Sequence, residues 1–333
     1  MDTDSSRRRL ILAGTLASLS AATRPSWSSV EFPNQAIKLI VPFGAGGATD
    51  IGARAFGKPY GEALGVPLVI ENRAGAGGTI GTTVAARSAP DGYTLILATN
   101  ATFALVQQTY PQLAYDAQTD FEPIGLISST PEILAVSSKL GVGTLKEFIA
   151  TGKTRKGTSA LNFGSPGKGS TPHFAAELFK ARYGVDFMHV PYKSGAEMLS
   201  ALMSDEVQFC FGFPAELAHH VKAGRMRAIG LASRERTVVL PEVPTMLESG
   251  LGEFVVQAWS GVSAPKHTQG KALDTLHAAL QRVLRDQAFR SQNQAFGIET
   301  AQPGSKREDF LAFVAAEARK WKSVAESAGI RPE

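Results

Sequence analysis

Leu39-Ile40-Val41-Pro42-Phe43-Gly44-Ala45-Gly46-Gly47-Ala48-Thr49-Asp50 is the stretch on which the fold turns. An apolar run with β-branched residues (Ile37, Ile40, Val41) enters a glycine-rich turn, and a helix-like segment with Ile51, Ala55 and Phe56 follows. A strand that passes through glycines into a helix start leaves backbone N–H groups without a partner in the helix. Those groups, together with the positive end of the helix dipole, attract an anion. Glycine lets a ligand approach the main chain closely.

The device recurs twice. Leu68-Val69-Ile70-Glu71-Asn72-Arg73 leads into Ala74-Gly75-Ala76-Gly77-Gly78-Thr79-Ile80-Gly81. Ala160-Leu161-Asn162-Phe163-Gly164 leads into Ser165-Pro166-Gly167-Lys168-Gly169-Ser170-Thr171-Pro172. Three such loops are expected to face one cleft and hold a carboxylate. A dinucleotide fingerprint fails, because Thr49 and Ile80 stand where G-x-G-x-x-G needs its third glycine. A P-loop fails because Gly169, not Ser or Thr, follows Lys168.

Outward from the first loop the pattern alternates strand and helix. Strands are expected at 37–43, 66–72, 93–99, 121–128 and 133–137, with helices at about 50–63 and 79–87. A second unit repeats the plan. It has a short helix at 145–150, a polar loop at 153–158, strands at 161–163, 187–190, 207–211 and 226–231, and helices at 171–183, 196–203 and 214–221. Thr171 is expected as the N-cap of the first long helix, with Pro172 at its first helical position. A strand at 255–262 and two long amphipathic helices, about 269–286 and 306–328, close the chain.

The predicted architecture is α/β with two lobes, each a mostly parallel sheet flanked by helices, and a ligand cleft between them. Residues 33–128 plus 258–333 make lobe 1, and 133–252 make lobe 2. Segments 129–132 and 253–257 are the linking hinge.

With 333 residues, 44% apolar and 19% charged, the chain is an ordinary globular protein with ample core. Net charge is +4, to which Arg7, Arg8, Arg9 and Arg24 contribute. No basic stripe suggests nucleic acid. Cys210 is the only cysteine, which excludes an intrachain disulfide and a multi-cysteine zinc site. It sits in an apolar run and reads as a buried, inert thiol. Residues 1–29 read as an export signal: a charged start, the apolar run 10–19, then Ser20, Ala21 and Ala22. Ser6-Arg7-Arg8-Arg9-Leu10-Ile11 leaves the general and the twin-arginine routes both open.

Catalytic patterns are sparse. Neither G-x-S-x-G nor H-E-x-x-H occurs, and His219-His220 stand adjacent on different helix faces. No metal or cofactor is expected. His173 lies in the first helical turn after the third loop, where it either meets a ligand or caps the helix.

Four motifs together carry a resemblance: Val41 to Asp50, Glu71-Asn72-Arg73-Ala74-Gly75-Ala76-Gly77-Gly78, Gly164 to Ser170, and Val190-Pro191-Tyr192-Lys193-Ser194-Gly195-Ala196. In this order they resemble the Bug (TctC-like) substrate-binding proteins, the extracytoplasmic receptors of tripartite tricarboxylate transporters. The resemblance also covers Glu242-Val243-Pro244-Thr245 and Trp259-Ser260-Gly261. It implies a type II periplasmic-binding fold, a monomer, that closes on a small carboxylate and hands it to permease subunits in the membrane.

It further implies that Phe43, Gly44, Ala45, Gly46, Gly47, Thr49 and Asp50 in one loop, and Ser165, Gly169 and Ser170 in another, grip one carboxylate; His173 stands beside them as a candidate by its position alone. Gly77, Thr79 and Asn100 would add contacts from lobe 1. Tyr192, Lys193, Ser194 and Phe213 would add them from lobe 2. Glu197 and Met198 depart from the usual Pro-Ala, and Gly212 stands where members that bind amino acids are often acidic. Glu197 is expected at the surface. The alternatives are an enzyme using His173 or Lys193 on a carboxylated substrate, which turnover would reveal, and a receptor serving a signalling protein.

Overall fold

The computed structural model describes residues 31–46, 48–110 and 112–330. The expected export segment and Gly47 lie outside the described residues. Strand β1 (Ile37–Val41) is buried at four of its five positions, as a strand covered on both faces must be. Helix α1 (Ala48–Leu64) follows it, then β2 (Leu68–Asn72), α2 (Thr79–Ala86) and β3 (Thr94–Thr99). β1 lies between β2 and β3 and is parallel to both. This is the expected crossover unit, with the glycine loops at its C-terminal edge.

The first sheet is completed from far along the chain. β10 (Gln257–Pro265) pairs antiparallel with β3, β4 (Phe121–Pro131) antiparallel with β10, and the short β11 (Glu299–Thr300) antiparallel with β4. The order is β11-β4-β10-β3-β1-β2. The second sheet contains β5 (Ile133–Ser137), β6 (Leu161–Ser165), β7 (Phe187–Pro191), β8 (Phe209–Gly212) and β9 (Met226–Leu231), in the order β7-β6-β8-β5-β9. β6 is parallel to β7 and β8, while β5 runs against β8 and β9. In each sheet the reversed inner strand is the one that enters after a crossing from the other sheet.

The chain crosses at Glu132, between β4 and β5, and returns between β9 and β10. A cycle of main-chain bonds ties the crossings together. Glu132 N–H donates to Val256 (3.1 Å), Val256 N–H to Ala232 (3.0 Å) and Ala232 N–H to Glu132 (2.8 Å).

Helices α3 (Leu145–Thr154), α4 (Thr171–Tyr183), α5 (Gly195–Ser204) and α6 (Pro214–Lys222) flank the second sheet. α3 starts at a capping box of Thr144 and Glu147 and runs past the expected end at 150 into the first two residues of the expected polar loop, with Gly152 packed against Phe187 and Val185. α4 is capped by Ser170, not Thr171: the Ser170 hydroxyl accepts from His173 N–H. Thr171 becomes the first helical residue, and Gly184 ends the helix in the left-handed region as expected.

The chain closes with three helices rather than two. α7 (Gly270–Arg285) is followed by α8 (Gln287–Ala295), capped by Asp286, and by α9 (Arg307–Ala328). Tyr60 of α1 is fully buried, and its hydroxyl donates to Leu276 O of α7 (3.0 Å). Phe148, Phe163, Phe179, Phe187, Phe209 and Phe211 fill the second unit with ring contacts. α9 packs on β4 and also on α4, where Trp321 meets Phe174 edge-on at 5.6 Å. Cys210 is buried in β8, as its apolar run predicts.

Candidate functional site

The first glycine loop is folded by the third residue of the helix it starts. Asp50 is only 2% exposed. Its carboxylate accepts from Gly46 N–H (2.9 Å), Arg54 Nε (2.9 Å) and Asn72 Nδ2 (2.9 Å). Asn72 Nδ2 also donates to Phe43 O (3.0 Å), so one amide holds both ends of the loop. The Arg54 guanidinium, with the Gly46 amide and Asn72, holds the Asp50 carboxyl down to about 2. Gly46 has φ of +81°, a conformation that suits glycine.

The third loop has the same form with different chemistry. His173 is the third residue of α4, and Gly169 N–H donates to its Nδ1 (3.2 Å). Nδ1 is therefore the acceptor nitrogen of a neutral ring. The His173 ring stacks on His189 at 4.1 Å, and His189 stacks on Phe163 at 4.7 Å. Burial first, then His189 and Lys168, push His173 down to about 3; burial and Lys168 push His189 down to about 4. The Ser170 hydroxyl donates to Gly167 O (2.7 Å), and Gly167 N–H donates to Ser165 Oγ (3.2 Å).

Two of the amides expected to be open to a ligand, Gly46 and Gly169, are thus engaged by side chains of their own helices. His173, for which capping and ligand contact were both open, is buried and shapes the loop. Gly44 and Ala45 are exposed, while Phe43 and Thr49 are half-buried.

The loops converge. A Cβ at Gly78 would lie 2.5 Å from Thr102 Cγ2 and 3.3 Å from the Phe43 ring, so the second loop packs under the first. A Cβ at Gly77 would lie 3.1 Å from the Tyr110 ring, and Thr79 is half-buried beside it. Across the two sheets, Asn100 Nδ2 donates to Thr171 Oγ1 (3.3 Å). A Cβ at Gly169 would stand 3.1 Å from Thr109 Cγ2. Asn100 is buried, and its Oδ1 finds no partner among the described residues. Thr102, Thr109, Tyr110 and Thr171 were missed in the sequence. The first three lie in or beside a helical stretch at 101–108 that carries no cap or long periodicity.

On the second unit, Tyr192 N–H donates to Ser165 O (2.9 Å), which brings the two motifs side by side. The Tyr192 hydroxyl itself donates to Glu206 (3.0 Å). Lys193 is exposed; its N–H donates to Glu197 (3.2 Å), and Ser194 caps α5 through Glu197 N–H. Glu197 lies at the surface, as expected. Phe213 is the half-buried N-cap residue of α6.

One pairing has the form of a nucleophile and its base: Ser165 Oγ lies 2.7 Å from His189 Nε2. Ser165 is fully buried, however, and its hydroxyl is also in hydrogen-bond range of Gly167 O (3.0 Å).

Comparison with known proteins gives the following. The family model described as "Tripartite tricarboxylate transporter family receptor" (TctC) matches residues 53–330. The chain is 34% identical to protein BugT of Bordetella pertussis, over 96% of this chain and 94% of BugT. Among solved structures it is similar to Rpa4515 of R. palustris with adipate, at 31% identity and a TM-score of 0.80. That match covers 91% of this chain and 100% of the other. It is also similar to MatC of Rhodopseudomonas palustris with bound malate, at 31% identity and a TM-score of 0.74. The shares covered are 88% and 100%.

Proposed function

The chain belongs to the TctC family of tripartite tricarboxylate transporter receptors, and from that premise we propose that it is a periplasmic receptor for a small carboxylate, which it delivers to a membrane permease. Lobe 1 is 33–128 with 258–333, lobe 2 is 133–252, and the crossings at 129–132 and 253–257 are the hinge. Ligand capture is lobe closure: binding selects the form in which both glycine loops face the same anion. The contacting set is the one the motifs imply, with Gly44, Ala45, Thr49, Asn100 and Ser170 at its centre, joined by Thr171, which Asn100 reaches.

One observation carries this proposal. The glycine loop at the start of α4 meets the edge of the first sheet through Asn100–Thr171 and Gly169–Thr109, the same edge at which Gly78 packs between Thr102 and the Phe43 ring of the first loop. Helix N-termini from two bodies then point at one place, which suits an anion. Each charge-assisted hydrogen bond there contributes about 1.5–3 kcal/mol. A few of them give micromolar affinity, about −8 kcal/mol. The adipate and malate held by the two relatives support a carboxylate here.

The test is mass spectrometry of small molecules released from natively purified protein, followed by calorimetry with those compounds. Stoichiometric binding of a carboxylate without turnover is the expected result. Turnover of the bound compound would instead support the Ser165–His189 pair as a catalytic dyad. Co-purification with membrane permease subunits tests the transport step; capture of a signalling protein alone would overturn it.

A further inference from the structure

Glu132 sits at the crossing between the sheets and is completely buried, and neither carboxyl oxygen finds a partner among the described residues. β5 runs antiparallel to β8, with Ile133 opposite Gly212. The start of β5 therefore lies at the C-terminal end of β8, the end from which Phe213 leads into α6. The parallel strands β6 and β7 deliver Ser165 and Tyr192 to that same edge. Glu132 thus stands at the edge of the second sheet that also carries Ser165 and Tyr192.

A second acid joins it there. Glu216 is in the first turn of α6, and its carboxylate lies where a Cβ on Gly195 would be 3.5 Å away. It is thus placed between the starts of α5 and α6. Burial first, then Glu216, raise the Glu132 carboxyl well above the ordinary range; burial also raises Glu216. Cys210, beneath them in β8, is the other titratable group on which both acids act. A buried carboxyl that meets no donor costs free energy unless something supplies one.

We propose that Glu132 and Glu216 form a second pole of the binding site, which takes a cationic amino group of the ligand whose carboxylate meets the glycine loops. The inference rests on the receptor reading above and narrows its substrate class to amino-carboxylates. A second carboxylate at this pole would face two acids and, among the described residues, no cation acting on either. An ammonium group supplies three donors and a charge. On binding, any proton that Glu132 holds leaves its carboxyl for the buffer, and the carboxylate pairs with the ammonium.

The test is calorimetry near neutral pH with length-matched pairs, 4-aminobutanoate against succinate and 6-aminohexanoate against adipate. Hexanoate serves as the carboxylate-only control. Two buffers of different ionisation enthalpy report proton release. The amino member of one pair is expected to bind at least about tenfold tighter than its dicarboxylate. It should release up to one proton. Glu132→Gln should narrow the preference at least about tenfold and abolish the release, with Glu216→Gln narrowing it less. Tighter dicarboxylate binding in both pairs, or a preference that survives both variants, overturns the second pole and leaves the receptor intact. No binding of any carboxylate overturns the receptor reading as well. Should Glu132→Gln not fold, Glu216→Gln and the wild-type proton release decide.

Discussion

The loops before α1 and α4 are two solutions to one problem. Each must hold a glycine turn at a helix start, and each does so with the helix's third residue accepting from a glycine four positions back. In the first loop the acceptor is Asp50, charged and clamped by Arg54 and Asn72. In the second it is His173, neutral and stacked on His189. A clamp of charges lends the first loop rigidity over the whole physiological pH range. A stack of neutral rings gives the second the same shape without adding a negative charge. An anion held between them would therefore meet one loop whose negative side chain is already neutralised and one that has none.

The largest expected effect separates access from backbone strain. Gly44 has open space around its Cβ position and is not in the left-handed region. Gly44→Val should therefore fold normally yet block close approach, lowering carboxylate affinity about 100-fold. Gly46 and Gly169, both at φ of +81°, would strain the chain as valine and confuse the two effects. Calorimetry beside a thermal melt checks this. Unchanged affinity for Gly44→Val would remove the first loop from the site.

Next in size is the difference between the two clamps. Asp50→Ala leaves Gly46 N–H and Arg54 without their acceptor. It should weaken binding about tenfold or more near neutral pH. His173→Gln keeps an acceptor within reach of Gly169 N–H and should cost only severalfold. Equal losses in the two variants would mean that charge is not what distinguishes the loops.

Much of this was legible before the structure. The strand-glycine-helix junctions fixed the parallel crossover units, and Gly184 marked the end of α4. What was hidden has physical causes. Ser170 and Thr171 are both good caps, so spacing alone could not choose between them. α8 carries few apolar residues beyond Phe289, so it has little periodicity to read. The capping box at Thr144 and Glu147 was in plain view and marks a longer helix than the apolar run alone suggests. Glu132 falls in the expected linking segment 129–132, where nothing marks it as buried, since its main-chain partners Val256 and Ala232 are remote in sequence. Likewise, that Asp50 and His173 play the same part is visible only once the amide directions are known.

The pH response sharpens the same comparison. Both imidazoles have values below the ordinary one of about 6.5, at about 3 for His173 and about 4 for His189. The unfolded chain therefore takes up these protons first. Stability from the stack is complete above about 6.5 and is lost as pH falls through about 4 and then 3. Asp50 stays ionised down to about 2 and keeps its clamp through that window. Amide exchange should loosen around residues 165–173 before residues 43–50 as the protein is acidified. His189→Gln should flatten the second-loop response. Simultaneous loosening would break the distinction.

The smallest effect contrasts two buried carboxyls. Asp50 has three donors and is pushed down; Glu132 has none among the described residues and is pushed up, by burial first and then Glu216. For a raised carboxyl the sign reverses. Its contribution is complete below the unfolded value of about 4.5 and fades as pH rises toward the folded one, because the unfolded state ionises first. Glu132→Gln has nearly the same shape and cannot ionise. In the ligand-free protein it should melt near the wild type at about pH 4 and above it at about pH 7. A melting difference that stays constant across that range would mean that Glu132 meets a donor the hinge supplies, and that its burial carries no proton.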